Sequence, residues 1–349
     1  MAKFHIKKDG TPGVCNAEKG NCPYGDAQHH YSSQDEAQEQ IDKKNMEIQN
    51  FKKQSKVQSK DLSHGDLSYT VVNNKRTYDI NLRHSDLEGS IINNSKMDNT
   101  HFNDANLQNV RITKSDLYGS QFRRADLTGT TIDSSSLNST IFTGAKLKDA
   151  VFTNSSAVEG MFNEANIKNT NFEKSNLSGT DFTGAELDKV TFSNTGLMYS
   201  DFSDAQLTNI DAPRADLNKS VFLNSNIQIT DLESANLNEA NFKNSQLGLV
   251  KFTDAKLSQS NFEGVKISDS NLKYTHAQYA NFTGGKINNV TFEGADLRGV
   301  DFTDTDLSKV NFAGANLTDA RFNKANLDDV DFTGANLEGV KGLPEEYLK

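Results

Sequence analysis

The sequence predicts an all-β solenoid built from four-sided coils, and three observations carry that reading. An apolar residue returns at every fifth position; between Asn311 and Val340 these are Phe312, Leu317, Phe322, Leu327, Phe332 and Leu337. An amphipathic helix repeats near 3.6 residues and a half-buried strand at two, so this interval fits neither. The residue two places before each apolar centre is small, as at Ala105, Ala125, Ala145, Ala165, Ala185 and Ala205. Residues two apart in an extended segment share a side, so each pentapeptide is one short extended side, followed by a corner. Finally, residues 20 apart match in size: Phe102, Phe122, Phe142, Phe162, Phe182, Phe202, Phe222, Phe242, Phe262, Phe282, Phe302 and Phe322 form one column of twelve phenylalanines. Four sides therefore close a coil of 20 residues, coils stack at the strand spacing of about 4.8 Å, and this column is predicted to be a structural core of stacked rings.

The chain begins differently. Residues 1–33 hold both cysteines and form a separate Cys/His module, in which Cys15, Cys22, His29 and His30 could complete a tetrahedral zinc site. Zinc is the one cofactor the sequence suggests, against the alternative of free thiols beside surface histidines. Residues 34–60 read as a helical linker or cap, with Ser33 ahead of Gln34, Asp35 and Glu36 as a capping signature. Ala37, Ile41, Ile48 and Phe51 fall on one face of that helix, and Lys44 interrupts the face.

The repeats occupy residues 61–341. The first coil is irregular, because Lys75 and Thr77 stand where a small residue and an apolar centre belong. About thirteen regular coils follow, a rod about 60 Å long at strand spacing. At Ala212 the large and small residues exchange places with Ile210, and Pro213 marks a break in the ladder or a corner. Ala157 and Ala277 lack such compensation, and an indentation, a bulge or a buried water is expected there. Residues 342–349 form a C-terminal cap, with Leu343, Tyr347 and Leu348 as a lid or a homodimer contact.

The pattern of Ala, then Asp or Asn, then Leu at Ala315 to Leu317, Ala325 to Leu327 and Ala335 to Leu337 resembles the pentapeptide-repeat family. The resemblance covers about three quarters of the chain. It implies a right-handed quadrilateral β-helix. The N-terminal segment, with its spacing of Cys15, Cys22, His29 and His30, resembles a short module found in phage and Gram-positive bacterial proteins, which suggests a phage or mobile-element association.

Composition narrows the function. Lys and Arg number 37 against 47 Asp and Glu, a net charge of -10 that disfavours direct nucleic-acid binding and favours basic partners. The absence of an apolar leader or an 18-residue apolar run predicts a cytoplasmic protein with no membrane contact. No phosphate loop, nucleophile elbow or pair of inward carboxylates occurs, so no enzyme is expected. Candidate partner-binding residues are the outward Tyr274, His276 and Tyr279, and the acidic set Asp301, Asp304, Asp306, Asp319, Asp328, Asp329 and Asp331. Family members that protect DNA gyrase are acidic rods, so the resemblance implies a DNA mimic with a type II topoisomerase or another DNA-binding protein as partner. The alternative is a structural spacer or scaffold that positions the N-terminal module.

Overall fold

The computed structural model describes residues 3–6, 12–15 and 33–347, the first two segments through their backbone alone. Strands Lys3–Ile6 (β1) and Pro12–Cys15 (β2) pair antiparallel, with Lys3 opposite Cys15. Helix α1 spans Gln34–Lys53, and its N-cap Ser33 accepts a hydrogen bond from the Glu36 backbone N–H at 3.1 Å. From Lys56 onward the chain winds as a parallel β-solenoid of about fourteen turns.

Every ladder contact joins residues 20 apart, such as Ile92 with Ile112 and Leu187 with Leu207. Each centre donates its N–H to the next coil, as Phe142 does to the Met161 carbonyl at 2.6 Å. The residue before the centre donates to the preceding coil, as Met161 does to Thr140 at 2.9 Å. Both ladder directions are thus used on every side, and the centres and small residues turn inward, where they are buried from Val57 to Phe322.

The twelve Phe rings stack as the 20-residue column predicts, with successive centroids 4.6–5.1 Å apart and planes within 2–25°. Phenylalanines on the opposite side meet them edge-on at 5.5–6.5 Å. Edge-to-face contact places the positive ring edge on the negative face, so the cross-section is filled by two mutually perpendicular stacks. At Ala157 and Ala277 no bulge forms: both N–H groups continue the ladder, to Asn176 at 2.8 Å and Asp296 at 2.9 Å. Beside Ala157 the Phe152 ring instead tilts 41° against Phe172. Pro213 is tolerated because the residue after a centre gives its N–H to no backbone carbonyl of a neighbouring coil, and the ladder passes through Ala212 and Arg214.

Corners require the residue two after each centre to be left-handed, and side chains from Ser59 (φ 43°) to Asp329 (φ 54°) adopt that conformation. Asn, Asp and Gly recur there because they tolerate positive φ best. Corners come in two kinds. In a closed corner the small residue donates its N–H to the preceding centre, as Ala145 does to Phe142 at 2.8 Å. In an open corner a serine ladder replaces that bond. Ser95, Ser115, Ser135 and Ser155 each donate their N–H to the hydroxyl of the serine one coil onward at 3.1–3.2 Å. Their own hydroxyls donate to the carbonyls of Asn93, Thr113, Asp133 and Thr153 at 2.8–2.9 Å. At Ser175 the corner closes again, with its N–H on Phe172 at 3.2 Å.

The first end of the rod is covered by α1. Ile48 and Phe51 are buried on the first coil, and a Cβ at Gly65 would lie 2.7 Å from Ile48 Cδ1, which explains glycine there. Lys44, the break in the apolar face, donates to the Asp61 carbonyl at 2.8 Å. Lys75, the irregular inward residue, is buried and donates to the carbonyls of Phe51 at 2.8 Å, Lys52 at 3.2 Å and Gln54. Cations suit helix C-termini, whose last carbonyls lack partners within the helix. The Ile41 side chain and Leu348 lie outside the described residues.

The other end is more open. Leu327, Phe332, Leu337 and Val340 are only partly buried, and the short helical turn Glu345–Tyr347 places the Tyr347 ring edge-on to Phe332 at 5.1 Å.

Candidate functional site

Aspartate at the position before each centre has a local task. Its carboxylate accepts the N–H of the residue after the centre: Thr303 to Asp301 at 2.9 Å, Thr333 to Asp331 at 2.8 Å, Ser203 to Asp201 at 2.8 Å. Asparagine does the same at Asn311, which receives Ala313 at 2.7 Å. That N–H is the group the ladder leaves unused, so the side chain satisfies a backbone donor at these positions; Asp211, two residues before Pro213, has no such donor to satisfy. The bond also favours the ionised form. Hydrogen bonds from Thr333 hold Asp331 below the ordinary carboxyl range, bonds from Asn154, Ser134 and Thr153 do so for Asp133, and Arg298 does so for Asp296.

The seven acidic candidates do not share a face. Counting in steps of 20, Asp301 and Asp304 lie on one side, Asp306, Asp328 and Asp329 on the next, Asp331 on the third and Asp319 on the fourth. Cations one coil away attenuate some of them, with Arg321 3.6 Å from Asp301 and Lys324 4.0 Å from Asp304. Asp328 accepts the Ser308 hydroxyl at 3.0 Å. Asp306 belongs to the strand Asp306–Asn311, while Asp304, Asp319 and Asp329 occupy left-handed corners. Acidity is therefore wrapped around the C-terminal coils and presented in every direction.

Tyr274 and Tyr279 stand at two successive corners, 49% and 69% exposed, with His276 exposed between them. Each ring lies flat over a glycine one coil onward. A Cβ on Gly294 would be 2.6 Å from the Tyr274 ring, and one on Gly299 would be 2.7 Å from the Tyr279 ring. The glycines thus seat the rings against the rod. Tyr279 shares its side with the exposed Tyr78, Tyr118 and Tyr199, an alignment readable from the 20-residue period. Sequence reasoning also passed over Ile229 and Leu249, exposed at left-handed corners one coil apart with φ of 51° and 56°.

Cys15 ends β2 and is described through its backbone only; Cys22, His29 and His30 lie outside the described residues. Among the described residues no group of three His, Cys, Asp or Glu could hold a metal ion, and no helix is long and apolar enough to cross a membrane.

Two family descriptions match the chain. The pentapeptide repeat region matches residues 145–212, 207–272 and 275–341, and the eight-copy pentapeptide repeat matches 80–119 and 120–156. Among solved structures, a trypsin-treated form of QnrB1, a plasmid-mediated fluoroquinolone resistance protein, is 22% identical, with 56% of this chain and 91% of that chain covered at a TM-score of 0.30. HetL, involved in heterocyst differentiation regulation in the cyanobacterium Nostoc sp. strain PCC 7120, is 25% identical over 59% of this chain and 87% of that chain, with a TM-score of 0.25. Rfr23 from the cyanobacterium Cyanothece 51142 is 20% identical over 33% and 89%, with a TM-score of 0.20. No curated protein matches the chain in sequence.

Proposed function

The chain belongs to the pentapeptide-repeat family, and from that premise we propose that it is a non-enzymatic protein-binding rod whose acidic C-terminal coils mimic DNA. The partner is a DNA-binding protein with a basic saddle, of the type II topoisomerase class. Charge density carries the reading. Residues 301–341 hold eight carboxylates against four cations, so two coils spanning about 10 Å carry about one net negative charge per 2.5 Å. Duplex DNA carries about one per 1.7 Å. Residues 201–300 hold twelve carboxylates against nine cations, which is about one net charge per 8 Å over five coils. Residues 181–220 reach the same value as the last two coils, with seven carboxylates against three cations, so two segments approach the duplex value; the C-terminal one adjoins the partly open end of the rod, and its acidity faces all four sides, as that of a duplex does.

The partly open C-terminal end, with Phe332 and Leu337 incompletely covered, suits pairing with a second copy into a homodimer. A second reading, in which the rod is a scaffold that positions the N-terminal module, is favoured by the clamp of α1 onto the first coil through Lys44 and Lys75.

A supercoiling assay with purified DNA gyrase tests the partner class. Inhibition or protection at protein concentrations on the order of micromolar, relieved by added DNA, is expected for a competitor of duplex. Neither effect, together with no binding, would remove topoisomerases from consideration.

A further inference from the structure

The open corners leave a groove along one edge of the rod, across the coils that contain residues 74–176, with a volume of about 1040 Å³. Its floor is the serine ladder Ser95, Ser115, Ser135, Ser155 and Ser175, whose hydroxyls are engaged with the backbone. Its walls carry Arg76, Lys96, Lys114 and Lys174 against one carboxylate, Asp116. Lys96 is held by Asp98 at 3.0 Å and Asp116 at 3.2 Å, and Lys174 by Glu173 at 2.8 Å. Among the described residues neither Arg76 nor Lys114 has an ion pair within 4.0 Å. After the hydrogen bond from Asn154, Lys114 is near enough to Asp133 to help hold it ionised, and Arg76 and Lys114 leave a positive edge on the groove in a chain of net charge -10.

We infer that this groove binds an extended acidic peptide segment of a partner protein, at a site separate from the C-terminal acidic coils. Charge complementarity selects an anionic ligand, and the length of the groove, about 24 Å at strand spacing, suits an extended chain of about seven residues. The walls distinguish among polyanions. Single-stranded nucleic acid is held by aromatic platforms on which its bases stack. No aromatic residue lines this groove among the described residues. Asn74, Asn94, Ser136 and Asn154 instead line it with amide and hydroxyl groups; Asn94 donates to Asn74 at 2.6 Å and Asn154 to Asp133 at 2.9 Å, and the hydrogens and lone pairs these bonds leave over match the alternating donors and acceptors of a peptide backbone. The cations then meet carboxylate side chains.

Fluorescence anisotropy with the full chain tests this, using a labelled ten-residue poly-glutamate peptide, the matching poly-glutamine peptide and a ten-nucleotide oligothymidine. The double variant Lys114→Glu, Lys174→Glu is compared with Lys266→Glu, Lys286→Glu, which changes net charge equally on another side of the rod. Poly-glutamate should bind, more weakly as salt rises, and lose about tenfold or more in affinity in the groove variant and less than about twofold in the control. Poly-glutamine and oligothymidine should bind at least about tenfold more weakly than poly-glutamate. No poly-glutamate binding near 1 mM, equal losses in both variants, or oligothymidine binding as tightly through the same lysines would each overturn the assignment. The groove variant leaves the C-terminal coils unchanged, so its gyrase inhibition reads the proposed function independently.

Discussion

Ser135 and Ser220 are both buried hydroxyls at the small inward position, yet replacing each by alanine should have unequal effects. Ser135 accepts the Ser115 N–H at 3.1 Å and donates to the Asp133 carbonyl at 2.9 Å. Ser135→Ala therefore removes a hydroxyl bond, worth about 1 kcal/mol net, and leaves a buried N–H at Ser115 without its acceptor, at about 1–3 kcal/mol. Ser220 only donates, to the Leu217 carbonyl at 2.7 Å, and its own N–H already closes the corner on that carbonyl at 3.1 Å. Ser220→Ala should cost about 1 kcal/mol or less, and the same column carries alanine naturally at Ala240. The expected difference is about 1–3 kcal/mol, read as faster amide exchange over residues 111–136 in Ser135→Ala and as a lower midpoint in chemical denaturation. Equal effects of the two substitutions would refute the distinction between open and closed corners.

Three further outcomes follow from the same contacts. Lys75→Met keeps side-chain length but removes the donors to three carbonyls at the end of α1, so residues 34–53 should exchange amides and be cleaved by protease faster by about tenfold or more, while the distal coils stay protected. Gly299→Ala places a Cβ 2.7 Å from the Tyr279 ring at a φ of 65°, so it should destabilise by about 1 kcal/mol or more and displace the ring, seen as a shifted tyrosine signal in NMR. Asp133, Asp296 and Asp331 have carboxyls held below their ordinary range by hydrogen bonds, so they contribute stability above about pH 4 that is lost as pH falls through the lowered values; thermal denaturation should show a midpoint that declines below about pH 4.

Much of this architecture is legible in the sequence because the interior is repetitive. A residue such as Phe222 touches Phe202 and Phe242, at 5.0 and 4.6 Å, so size at a 20-residue interval is under direct physical constraint. The kind of corner is not legible, since serine serves both: Ser135 supports an open corner and Ser220 a closed one. Lys75 looks like a defect in the pattern until α1 is docked, when its length and charge reach the helix end. The sides occupied by the acidic residues follow from counting by 20, but their attenuation by Arg321 and Lys324 depends on side-chain direction, which spacing does not convey. The groove was equally hidden, because Arg76, Lys96, Lys114 and Lys174 are dispersed through the sequence and meet only through the coil.

The last two coils are proposed to supply a duplex-like charge to a basic partner. That proposal is tested most directly by titrating DNA gyrase with the chain and with a variant carrying Asp301→Asn, Asp304→Asn, Asp328→Asn and Asp329→Asn. Asparagine can still accept the Thr303 N–H now held by Asp301 and tolerates the left-handed corners at Asp304 and Asp329, so the variant removes charge and keeps the coil. Salt-dependent binding by the unaltered chain and a loss of about tenfold or more in the variant are expected. Equal affinity of the two proteins, or no binding by either, would contradict the proposal.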